Sequence, residues 1–188
     1  ASKGARYDFT AVADSGIHLS AKSNKKKGGK VAPQVVGQAT PQKFWEEVCM
    51  CSGVAIAEPA IADPTDPATL KKYIQENITT IMPMLWRYTF DSPIVYYVRD
   101  TDEIRFIAPA AVAGGNEPDW SAFQYTWSRS YDKWANSTSL RVIAPGGVKE
   151  ETIMEFQFHT KSRQNMAVRW AIDKVLDLFA GHFKVDVL

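Results

Sequence analysis

The sequence predicts an α+β fold, a central mixed β-sheet flanked by about three helices. Three observations predict it. Segments of period-2 alternation lie near residues 7–22, 93–108 and 139–159. Helical spacing of apolar residues lies near 41–51, 70–81 and 163–180. Short turn-forming stretches separate these, with no internal repeat. The pattern of strands mixed with helices fits layers packed on one core.

The elements follow in order. Tyr7 to Val12 reads as a strand, Asp14-Ser15-Gly16 as a turn, and Ile17 to Lys22 as the next strand. Side chains alternate faces along a strand. Asp8 and Thr10 therefore share one face; Ser20 and Lys22 share the polar face of the second strand. Thr40 is a natural N-cap with Pro41 at the first helical position, and Phe44, Trp45, Val48 and Cys51 continue that helix to Ser52-Gly53. Residues 58–67 hold three prolines and read as a loop or linker. Asp66 caps a second helix whose stripe is Leu70, Tyr73, Ile74, Ile78 and Ile81, with Pro83 disrupting it near the end.

Pro93 to Arg99 and Glu103 to Ala108 form a hairpin around Asp100-Thr101-Asp102, and residues 109–118 form a loop. The aromatic stretch 120–134 reads as core, with base stacking as the alternative. Ser139 to Ala144 turns at Pro145-Gly146-Gly147 into Thr152 to His159. Arg163 to Ala180 reads as one long helix stopped by Gly181, and Phe183 to Leu188 as a final strand.

Length and composition bound the function. The chain has 188 residues, 45% of them hydrophobic and 23% charged, enough for one domain with a real core. We expect a single domain over 1–188, with a missing N-terminal segment left open. A net charge of +1 excludes a globally basic protein. Any polyanion site must be local, and Lys25, Lys26, Lys27 and Lys30 around Gly28-Gly29 offer one; a solvated loop is the alternative. No apolar run approaches the roughly 18 residues of a membrane helix. Cys49 and Cys51 stand two apart in a helix and do not face each other, so free buried thiols in a reducing, cytoplasmic setting are expected.

Two stretches carry chemistry. The first is Asp8 with Ser20-Ala21-Lys22, a carboxylate and an ammonium on adjacent strands, followed by the lysine loop. The second is Glu155-Phe156-Gln157-Phe158-His159, where Glu155, Gln157 and His159 share a polar face, with Arg163 and Arg169 beyond. For His18 and His159 a structural role is the simpler reading.

Asp8, the turn and the strand ending in Ser20-Ala21-Lys22 resemble the PD-(D/E)xK, or restriction-endonuclease-like, nuclease core. The resemblance covers residues 6–30 and, more loosely, 136–179. It implies a restriction-endonuclease-like fold, DNA as partner, Mg²⁺ as cofactor, a homodimer as an open assembly, and hydrolysis of phosphodiester bonds. It implies Asp8, Lys22, Glu155 and Gln157 as catalytic residues, with Asp8 and Glu155 on the metal. Lys25, Lys26, Lys27, Lys30, Arg163 and Arg169 would bind nucleic acid. Ser20 stands where the family has an acid, and Glu155 is the recruit expected in its place, on the same sheet face. A non-catalytic binding module on the same fold is the competing reading. A third is a ppGpp-synthetase-like nucleotide-handling domain, to which Glu155-Phe156-Gln157-Phe158-His159-Thr160 is similar.

Overall fold

The computed structural model describes residues 8–13, 16, 18–24, 40–49, 66–110, 117–159 and 165–188. Several expectations fall outside them: the lysine run 25–30, Cys51, most of the 58–67 stretch, and Arg163.

Two sheets form, not one. The first has five strands: β1 (Phe9–Thr10), β2 (His18–Ser23), β3 (Ile94–Val98), β4 (Glu103–Pro109) and β9 (Phe183–Val187), in the order β1-β2-β3-β4-β9. It is mixed, because β2 and β3 run parallel while its other pairs are antiparallel. The second is an antiparallel meander of β5 (Gln124–Trp127), β6 (Ser137–Ile143), β7 (Glu150–His159) and β8 (Asn165–Trp170). The single central sheet of the sequence reading is thus corrected. Hairpin loops join only neighbours, and the crossover from β2 to β3 consumes residues 24–93, which a parallel pair requires.

Four α-helices occur among the described residues, one more than expected. They are α1 (Pro41–Phe44), α2 (Pro67–Glu76), α3 (Ile78–Phe90) and α4 (Ile172–Leu178). Thr40 and Asp66 cap α1 and α2 as their sequence positions suggest, each side chain accepting from the backbone N–H three residues on. α1 runs directly into wider, π-type turns over Trp45–Cys49. The expected second helix breaks at Asn77, not at Pro83. α3 passes through Pro83 with Ile81, Met82, Leu85, Trp86 and Phe90 all buried. A proline deep in a helix costs about 3 kcal/mol; the burial of this face offsets it.

The expected helix 163–180 is also corrected. Its first half is β8 and only Ile172–Leu178 is helical. Met166, Val168 and Trp170 alternate and are all buried against β7, and β-branched and aromatic side chains suit a pleated surface. The same Val168, Ile172 and Val175 also fit helical spacing, so the periods overlap at this junction.

Both sheets send side chains into one continuous core among the described residues. Trp86 is its hub, in ring contact with Phe90, Trp120, Trp170, Phe179 and Phe183. Trp120 and Trp134 are buried, as the core reading of 120–134 expects, while Tyr131 is exposed. Lys71 of α2 is buried too. Its Nζ donates to the Trp134 carbonyl at 2.7 Å and lies over the Trp134 and Phe158 rings.

Candidate active site

The first strands bring Asp8 and Lys22 together. Phe9 pairs with Leu19 and Thr10 with His18, so one further step of the register sets Asp8 opposite Ser20. Residues opposite each other in an antiparallel pair share a face. Three donors then converge on one oxygen, Asp8 Oδ2. Ala21 N donates at 2.9 Å, Lys22 Nζ at 3.0 Å and Ser20 Oγ at 3.2 Å. Burial alone would raise the Asp8 carboxyl; the Ala21 and Lys22 hydrogen bonds, the Lys22 charge and Ser20 outweigh it and hold the group below the usual carboxylate range. Asp8 is therefore an ionised, fixed anion at neutral pH. Ser20 is fully buried, and its hydroxyl is directed to Asp8.

The parallel β2–β3 ladder carries this group across the sheet. Ser20 pairs with Ile94 and Lys22 with Tyr96; Tyr96 in turn pairs with Arg105 on β4. Lys22, Tyr96 and Arg105 thus stand in one row on the same face. Arg105 Nη2 meets Glu103 at 3.1 Å and Nη1 meets Asp173 of α4 at 3.4 Å. Burial raises the Asp173 carboxyl above its ordinary value, against the opposing Arg105 charge. Tyr96 is wholly buried, and its hydroxyl has no hydrogen-bond partner among the described residues. Beyond the row, Asn24 Oδ1 accepts from Arg99 N at 2.9 Å and ties the end of β2 to the β3–β4 turn.

Glu155 and Gln157 lie elsewhere. Both belong to β7 in the second sheet, so the expectation that Glu155 shares a sheet face with Asp8 and Lys22 is corrected. The reason is topological: β7 is paired on both sides by β6 and β8, leaving no edge on which the first sheet could join. Glu155 stands opposite Arg169 and Ser139, and Gln157 opposite Ala167 and Ser137. The oxygens Gln157 Oε1 and Asn165 Oδ1 on this hairpin are buried without a hydrogen-bond partner among the described residues. His159 is exposed at the strand end. His18 Nδ1 lies 3.1 Å from Thr10 Oγ1, a cross-strand contact within the β1–β2 pair. Cys49 is buried and its thiol is pushed up by burial, which makes it a poor nucleophile.

Among the described residues, no three His, Cys, Asp or Glu side chains cluster as a metal cage. Mg²⁺ asks for less: it is usually held by one or two carboxylates together with substrate phosphate and water. Asp8 fits as one such ligand, since the three donors occupy Oδ2 and none of them is directed to Oδ1.

The sequence reading missed Tyr96, Arg105 and Asp173. Tyr96 and Arg105 were visible as members of a hairpin, but the parallel pairing that aligns them with Lys22 spans about seventy residues and leaves no local signal.

Asp8 and Lys22 thus form an ion pair on adjacent strands, and one curated protein is similar to the chain that carries it. The chain is similar to the type II restriction enzyme CviAII of Paramecium bursaria Chlorella virus 1, with 32% identity over 197 residues. That similarity takes in 100% of this chain and 48% of the relative, so the chain spans about half the length of the curated protein it matches. No family model matches the chain, and no solved structure does.

Proposed function

We propose that the chain carries the cleavage centre of a metal-dependent DNA endonuclease of the PD-(D/E)xK kind. The observation that carries this reading is the contact of Lys22 Nζ with Asp8 Oδ2 at 3.0 Å on adjacent strands. The similarity to a restriction enzyme across the whole chain supports it. Asp8 would hold Mg²⁺, which when bound lowers the pKa of water and offsets charge on the phosphate. Lys22 supplies a fixed positive charge beside the attacked phosphodiester and stabilises its transition state. Ala21 N and Ser20 Oγ keep the Asp8 carboxylate oriented while Lys22 turns to substrate. The lysine run 25–30 follows this strand directly and is the proposed polyanion contact, its affinity falling steeply with salt. Glu155 and Gln157 stand outside this group.

The test is incubation of supercoiled, linear and single-stranded DNA with the chain in Mg²⁺, in Mn²⁺ and in EDTA. Nicking or linearisation that needs the cation and disappears in Asp8→Ala supports the reading. One observation favours a second reading, a DNA-binding module without cleavage: the family's acid position is a fully buried serine. Intact DNA under every cation, with binding retained, would select that module.

A further inference from the structure

We propose that the outer edge of β9 is a dimerisation surface, on which a second copy of this chain pairs its own β9 antiparallel, with Val185 on the two-fold axis. Among the described residues β9 ends the first sheet, and no strand lies beyond it. Lys184, Val185, Asp186 and Val187 are all exposed, Val185 by 40% and Val187 by 62%. An open edge offers unpaired backbone groups to another strand. Which groups those are follows from the pairing with β4. The His182 carbonyl accepts from Ala110 N, and Leu188 N donates to the Ile104 carbonyl, each at 2.9 Å. Bonded and non-bonded positions alternate along an antiparallel strand, so Lys184 and Asp186 also turn their backbone groups to β4. Phe183, Val185 and Val187 turn theirs outward. Pro109, which has no N–H, stands opposite Phe183, where the ladder needs no bond.

The strand fits a copy of itself in one register. An antiparallel pair centred on Val185 sets Val185 opposite Val185 of the second copy, and Phe183 opposite its Val187. These are the outward-turned residues, so each facing pair exchanges both backbone hydrogen bonds. The same register sets Lys184 opposite Asp186 of the second copy, and Asp186 opposite its Lys184. Those are the non-bonded positions, where facing side chains stand closest. Within one chain Lys184 Nζ already lies 3.5 Å from Asp186 Oδ2. In the pair every one of these charges gains a second opposite neighbour. On the other face Val185 meets its counterpart, and Val187 of the second copy lies beside Phe183, whose ring is in the core. A slip by one residue faces outward groups with inward ones. A slip by two restores the bonding phase but sets Lys184 against Lys184, or Asp186 against Asp186, and like charges directly opposite destabilise. The alternative is an edge kept single by Lys184, a residue type that blunts open edges.

The experiment is sedimentation velocity of the 188-residue chain over a concentration series, with a thermal melt of each variant. A strand pair this short buries little area, so a weak dimer is expected, with Kd on the order of 10–100 µM. Val185→Pro removes an outward N–H that the monomer does not use, and proline is tolerated on such an edge. It is expected to keep the melting temperature and abolish the dimer. Lys184→Glu and Asp186→Lys each turn both symmetry-related attractions into repulsions, and each is expected to weaken dimerisation about tenfold or more. An equimolar mixture of those two variants is expected to dimerise as the wild type does, because each offers the other the opposite charge. If Val185→Pro fails to fold, the mixture decides. A wild-type chain that stays monomeric up to about 1 mM overturns the proposal, and leaves the edge to a different partner strand or to Lys184 as its guard. A Val185→Pro chain that dimerises like wild type, or a mixture no tighter than its components, overturns it by placing the contact elsewhere. All of this is read without DNA, so none of these outcomes bears on the endonuclease reading.

Discussion

Replacing Lys22 by alanine separates a catalytic lysine from a structural one, because the structure assigns the two roles very different magnitudes. Lys22 Nζ lies 3.0 Å from Asp8 Oδ2, with side-chain exposures of 19% and 36%. Such a part-buried pair still reaches water and is expected to contribute about 1 kcal/mol, the upper end for solvent-reached pairs. Asp8 also keeps its bonds from Ala21 N and Ser20 Oγ when the lysine goes. The expected loss of stability is therefore about 1 kcal/mol, a melting shift of about 2–4 °C for a chain of this size. The expected loss of cleavage is far larger. Removing one donor aimed at developing charge typically costs about 10²–10³ in rate, or roughly 2.7–4 kcal/mol. The assay is nicking and linearisation of supercoiled plasmid in Mg²⁺, run beside a thermal melt of the same preparation. Cleavage within about threefold of wild type would refute the role, since it is far below the effect of losing a transition-state donor. A melting temperature lower by more than about 10 °C would refute it as well, by showing that the ammonium holds the fold together.

Three further outcomes are expected. The Asp8 carboxyl is depressed in the folded chain, so its contribution to stability is present above the unfolded value near 3.9 and is lost as pH falls through the folded one; Asp8→Asn should flatten the acid limb of urea midpoints measured from pH 2 to 7. Thr89 Oγ1 accepts from Trp170 Nε1 at 2.9 Å and donates to the Leu85 carbonyl at 2.8 Å, all buried; Thr89→Val keeps the shape, leaves the indole N–H unpaired, and should cost about 1–3 kcal/mol in urea unfolding. Ser20→Asp places a second carboxylate, fully buried, beside Asp8 Oδ2, so the variant should melt lower than wild type in EDTA and recover in Mn²⁺ or Mg²⁺; equal melting with and without the cation would count against a metal at Asp8.

The sequence made the local parts of this molecule legible and left its long-range parts hidden. Thr40-Pro41 and Asp66-Pro67 announce helix starts through capping chemistry that needs no tertiary partner. The β3–β4 hairpin is announced by Asp100-Thr101-Asp102, and Asp102 there adopts the left-handed conformation that Asp tolerates in turns. The Asp8–Lys22 contact was legible because β1 and β2 are neighbours in the chain, and period-2 alternation fixes which side chains share a face. The division into two sheets was not legible. Glu155 alternates as cleanly as Ser20 and Lys22, but alternation gives a strand's faces and never its neighbours. Arg163 to Ala180 failed for a related reason: Val168 belongs both to the strand alternation Met166, Val168, Trp170 and to the helical spacing Val168, Ile172, Val175, and pairing with β7 makes residues 165–170 a strand.

Ser20 shows how the site's electrostatics follow from the fold. Its position is fully buried, paired directly with the apolar Ile94, which in turn pairs with Ile107 on the same face. An acid there would bring a second negative charge into a low-dielectric layer beside Asp8, with Lys22 the cation shown bonded to Asp8 at this end of the row. A serine removes that repulsion and instead gives Asp8 a donor. The consequence is a carboxylate with three donors on one oxygen, held ionised and oriented before any ligand arrives. Positive charge is distributed differently: Lys22 lies beside Asp8, and Arg105 sits two strands away under two carboxylates of its own. Along the row Asp8, Glu103 and Asp173 set three carboxylates against Lys22 and Arg105, so each of these two cations is paired with a carboxylate of the chain itself before any ligand arrives.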